Sequence, residues 1–103
     1  MGVALRQTND ASQIVLEGPI DITVAAELKT ALVEALAAAT PGKKIGVAAE
    51  AAVSLDVTAY QLLWAAGREA KNAGVAIALD GAIPEAASRA LAEIGLDTGA
   101  LFS

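Results

Sequence analysis

The chain has 103 residues, enough for one compact domain and too few for two, so residues 1–103 are read as a single domain. Its formal net charge is −5, with no run of like charge. No basic stripe is therefore available for nucleic acid or for an anionic membrane surface. Zero cysteine and zero histidine remove disulfides, thiolate ligands, a thiol nucleophile and the commonest general base, which argues against most hydrolytic chemistry and against a metal centre.

In chain order, Val3 to Arg6 reads as a short strand, followed by a polar turn at Thr8-Asn9-Asp10. Gln13 to Glu17 alternates, with Ile14 and Leu16 on one face, and Gly18-Pro19 closes it; two strands joined so closely should pair as a hairpin. Thr23 is the expected N-cap of a long helix reaching Ala39. That helix has Ala25, Leu28, Leu32, Ala35, Leu36 and Ala39 on one apolar face. Lys43 to Ala49 is the next strand, with Ile45, Val47 and Ala49 alternating with Lys44, Gly46 and Ala48. A second helix is expected from Thr58 to Ala73, stopped by Gly74, then a strand from Val75 to Leu79. Pro84 suits the first turn of a third helix that carries Ala87, Leu91 and Ile94 toward Gly95.

Strands separated by helices imply right-handed parallel crossovers. The expected fold is α/β: a four-stranded, mostly parallel sheet, its first strand antiparallel, with three helices on one face. The other face is lean, marked by Gly46, Ala48, Ala76 and Ala78, where a sheet covered on both sides would carry large aliphatics throughout. Hydrophobic residues make up 55% of the chain but aromatic ones only 3%, so alanine and medium aliphatics must fill the core. Charges, Gly or Pro interrupt every apolar run before it could cross a bilayer, and the N-terminus lacks a secretion signal. A cytoplasmic protein without direct membrane insertion is expected.

Candidate functional residues gather at the start of the second helix. Thr58, with Gln61 three residues on, reads as a capping box. A hydroxyl at a helix N-terminus is equally a place where an added phosphate meets free N–H groups and the positive end of the helix dipole. Asp21 and Asp56 each follow the end of an apolar strand, so in a parallel sheet they share an edge and flank Thr58. Acid–base work by such a pair is conceivable, although carboxylates before helices more often serve the dipole. Tyr60 and Trp64 form an i,i+4 pair that a helical wheel puts, with Arg68, on the flank or outside of the helix. They are candidate interface anchors, or alternatively cover for a thin alanine core. Pro41-Gly42-Lys43-Lys44 lacks the spacing of a phosphate loop, and no cofactor is expected.

The turn Gly18-Pro19-Ile20-Asp21 before the first helix and the turn Asp56-Val57-Thr58-Ala59 before the second resemble those of the STAS domain, the fold of bacterial anti-sigma factor antagonists. The likeness runs from Ile14 to Leu96, with Val57 and Ala59 standing where the family carries a hydroxyl residue and a glycine. The resemblance implies that Thr58 is the residue phosphorylated by a partner kinase, flanked by Asp21 and Asp56. It also implies a non-enzymatic signalling module. Such a module would bind an anti-sigma factor or other histidine-kinase-like or chemotaxis protein through the second helix and its adjacent loop, with Val57, Thr58, Tyr60, Gln61, Trp64 and Arg68 as the contact set. The alternative is an accessory subunit of a lipid-transport ATPase complex, in which Thr58 packs against the transporter. A minimal enzyme built on Asp21, Asp56 and Thr58 is the least favoured reading.

Overall fold

Alternating aliphatic and small or polar residues build a four-stranded sheet in the order β1-β2-β3-β4. The computed structural model describes residues 2–7, 11–97 and 101–102. β1 (Gly2–Gln7) pairs antiparallel with β2 (Ala11–Ile20); the expected turn at Thr8-Asn9-Asp10 lies outside the described residues. β3 (Lys44–Leu55) and β4 (Ala76–Leu79) add in parallel, joined through α1 (Ala25–Ala38) and α2 (Val57–Asn72), and α3 (Glu85–Glu93) follows β4. Each parallel connection advances one strand in the same direction, so right-handed crossovers leave the helices on one face. The expected architecture is the observed one.

The core fills the space between sheet and helices. Ile14, Leu16 and Ile20 from β2, Ile45, Val47, Ala49, Ala52 and Leu55 from β3, and Leu28, Leu32, Leu63 and Leu91 from the helices are all buried. Ala35, Ala59, Ala66 and Ala70 complete it, and α1 packs against α2. Small side chains on the helices let backbone approach backbone, which compensates for the scarcity of aromatics. On the other face, Gln13 Nε2 donates to Asp80 Oδ2 at 3.3 Å. Gly46 makes this possible, because a Cβ there would overlap the Asp80 carboxylate.

β3 runs six residues beyond the expected end at Ala49. Its pairing with β2 slips twice: Val15 faces Ala48 but Glu17 faces Ala51, and Gly18 faces Ala52 but Pro19 faces Ser54. Each slip leaves one unmatched residue on β3, so its buried positions step from Ala49 to Ala52 to Leu55 instead of alternating. Gly18, with φ +73°, supplies the turn in β2 beside the second slip.

The starts of α1 and α3 depart from expectation. α1 starts at Ala25 with no side-chain cap, because Thr23 bonds back to Asp21 instead of capping it. Pro84 stands just ahead of α3 as its N-cap residue. Ile94, the C-cap residue of α3, is 58% exposed. Gly74 ends α2 as expected, with φ +73° after the C-cap Ala73. Ala70 has no exposed surface; Ala70→Leu should overpack the helix–sheet contact and cost about 1–3 kcal/mol in urea denaturation.

Candidate partner-binding site

The site is built where β2 and β3 end together. Ile20 pairs with Leu55, and the Asp56 N–H donates to the Ile20 carbonyl at 3.1 Å. The loop entering α1 and the junction entering α2 are thereby fastened to one edge of the sheet, as expected for Asp21 and Asp56.

Asp56, not Thr58, caps α2. Its backbone is extended (φ −86°, ψ 177°), and its Oδ1 accepts the Ala59 N–H at 2.9 Å while its carbonyl accepts the Tyr60 N–H at 3.0 Å. This corrects the expected capping box: Thr58 is the second helical residue, and Gln61 is exposed two positions past the box's acceptor site. Both Asp56 and Thr58 are competent caps, and the position of Leu55 level with Ile20 decides between them. The half-buried Thr58 side chain makes no hydrogen bond among the described residues.

Asp21 closes a tight turn on itself. Its Oδ1 accepts the Thr23 hydroxyl at 2.5 Å and the Thr23 N–H at 2.9 Å. The hydroxyl first, and the N–H second, hold its carboxyl below the ordinary carboxylate value, so Asp21 is anionic near neutrality. Asp21 and Asp56 therefore both stand on this edge, Asp56 two residues ahead of Thr58.

Around them lies apolar surface that strand alternation alone does not find. The second slip in β3 turns Val53 outward, Ile22 is 73% exposed, and Val57 projects from the first turn of α2. Val53, Val57, Ala86, Ala90 and Ile94 line a groove of about 320 Å³ between the start of α2 and α3. Ala86, Ala90 and Ile94 recur every four residues on α3, a second apolar stripe beside the inward Ala87 and Leu91. That spacing was the available signal for this surface.

Along α2, Val57, Gln61, Trp64 and Arg68 are exposed on one stripe. The Arg68 guanidinium lies over the Trp64 ring, 4.9 Å from its centroid. Tyr60 does not join them. It is only 8% exposed, and its hydroxyl donates to the Asp97 carbonyl at 2.9 Å. The helical wheel put Tyr60 outward because it carries no term for the chain leaving α3, which covers that flank. Among the described residues, no group of His, Cys, Asp or Glu could hold a metal, and no helix is long and apolar enough to cross a membrane.

A bulged four-stranded sheet, antiparallel only at its first strand and covered on one side by three helices, is the anti-sigma-factor-antagonist type of fold. RsbS of Moorella thermoacetica, in a serine-to-glutamate variant, superposes with a TM-score of 0.72 at 24% identity, over 94% of this chain and 80% of that one. The anti-sigma factor antagonist SpoIIAA in its unphosphorylated form gives 0.70 at 19% identity, over 93% and 86%. Mglu is also similar, with a TM-score of 0.64 at 18% identity over 80% of this chain, which spans only 19% of the Mglu chain. The chain belongs to the STAS family described as Mlab, STAS domain, whose sequence model matches residues 3–102. No curated protein matches it.

Two outcomes follow from this geometry. Asp56→Ala should destabilise the fold by about 1 kcal/mol in thermal denaturation, more than Thr58→Ala; a Thr58 cap would reverse that order. An NMR titration should place the Asp21 carboxyl below its ordinary value, and Thr23→Val should raise it. Because the folded value is the lower one, the stabilisation from this turn is present above the unfolded value and lost as pH falls through the folded one.

Proposed function

We propose that the 103-residue chain acts as one non-enzymatic signalling module of the cytoplasm. It binds a kinase-like protein, of the anti-sigma or chemotaxis type, through the first turns of α2 and the neighbouring loop. The observation that carries this reading is the Thr58 side chain, relieved of capping and without a hydrogen bond among the described residues. It directly follows Asp56 and Val57, which line an apolar groove with Val53 and Ile94. Exposed apolar residues grouped around a polar centre are the ordinary makings of a protein interface.

Phosphorylation of Thr58 is the switch in this reading. A phosphate adds about −2 charge beside Asp56 and Asp21. The docked partner would then have to bury that charge against an apolar rim, at a desolvation cost the neutral hydroxyl does not carry. Support comes from the relatives: SpoIIAA is described in an unphosphorylated form, and RsbS carries a glutamate in place of a serine.

A second reading makes the chain an accessory subunit of a lipid-transport ATPase complex, with the same surface permanently docked and no phosphate needed. It is favoured by the Mlab description of the matching family and by the aliphatic Val57 beside Thr58. Affinity recovery from the native host, with wild-type chain and the Thr58→Ala and Thr58→Glu variants, separates the two. A kinase-like protein held by wild type and Thr58→Ala, and at least about tenfold more weakly by Thr58→Glu, supports the switch. A transport ATPase retained by wild type and Thr58→Ala supports the second reading. If Thr58→Glu holds a kinase-like partner as tightly as wild type, charge at this position is not the control.

A further inference from the structure

A second surface lies at the far end of α2, about 15 Å along the helix from Thr58. There Trp64, Arg68, Lys71 and Asn72 share with Ile77 of β4 and Phe102 a groove of about 560 Å³. None of the described residues that line it is acidic, although acids outnumber bases in the chain by 12 to 7. Neither Arg68 nor Lys71 has an ion-pair partner among the described residues. Stacking on Trp64 fixes the Arg68 guanidinium while leaving its in-plane N–H donors available. At Gly67 a Cβ would come within 3.1 Å of the Phe102 ring, so the glycine lets that ring settle against α2.

Beside these cations runs an open strand. β4 is the last strand of the sheet. The Ala76 N–H donates to Lys43 at 3.2 Å and the Asp80 N–H to Val47 at 2.8 Å. Backbone groups of successive strand residues point to opposite sides, so the N–H and C=O of Ile77 and Leu79 face away from β3. Such groups form a ready template for one more strand.

We propose that this groove takes an extended acidic segment of a partner protein, added as a fifth strand beside β4. Pairing with Ile77 and Leu79 supplies main-chain hydrogen bonds, and alternate side chains of the segment point toward the helix layer. Carboxylates at those alternate positions meet Arg68 and Lys71 with charge complementary to theirs. The site shares Trp64 and Arg68 with the exposed stripe of α2 but makes no use of Thr58.

The test titrates the isotope-labelled full chain with a peptide of alternating valine and glutamate, its glutamine counterpart, and inorganic phosphate. The glutamate peptide should shift the Ile77 and Leu79 amides, slow their hydrogen exchange and change Trp64 fluorescence. Arg68→Glu with Lys71→Glu should weaken it at least about tenfold. Ile77→Pro removes an outward donor and no donor of the β3 ladder, and with its fold verified by circular dichroism it should abolish binding. Thr58→Glu should leave binding unchanged, which separates this result from the fate of the Thr58 switch. Equal binding of the glutamine peptide, the same shifts from phosphate alone, or no response at Ile77 and Leu79 would overturn the proposal.

Discussion

The pairing of Ile20 with Leu55 sets the level at which two loops leave the sheet, and the candidate site at this edge depends on that level. β3 reaches it only by carrying two residues that β2 does not match. These slips keep Leu55 in the core, turn Val53 to solvent, and deliver Asp56 to the sheet edge with its N–H on the Ile20 carbonyl. A strand without them would bring a different residue to the mouth of α2. The irregularity in the sheet thus determines which side chain caps the helix and which one is left over.

The assignment of the cap has chemical consequences. A threonine bonded to its own helix would have to surrender that bond before meeting a kinase or a partner. Asp56 takes the duty instead, and its negative charge sits well against the helix dipole. Thr58 can then be altered at small cost to folding, while the fixed carboxylates of Asp21 and Asp56 make the neighbourhood unfavourable for a further anion. Helix capping falls to Asp56 and leaves Thr58, two residues on, free of that duty.

Much of this was legible from residue order. Periods of two and of three to four located every strand and helix, and the lean residues Gly46, Ala48, Ala76 and Ala78 marked the uncovered face. The run from Asp56 to Arg68 stands out in the sequence as the stretch to examine. The misreadings have physical causes. Alternation carries the expected β3 only to Ala49, because it fails at a bulge, where one strand alone does not reveal how many residues its neighbour has used. The helix start moved because Asp56 and Thr58 are both competent caps, and only tertiary register chooses between them. Tyr60 is buried where a helical wheel puts it on the flank or outside, because the wheel knows the axis of one helix and not which neighbour crosses it.

The sheet's strand order repeats the order of the chain. Each strand therefore finds its partner in the segment made just before it, across a hairpin or a single helical crossover. The entropy lost in closing such short spans is small and grows only slowly with their length. Assembly can advance from the hairpin outward, one strand at a time, with no early segment waiting for a late one. β4, four residues long and last in the chain, has a neighbour on one side only, so its outer hydrogen-bonding capacity is left over at the edge of the sheet.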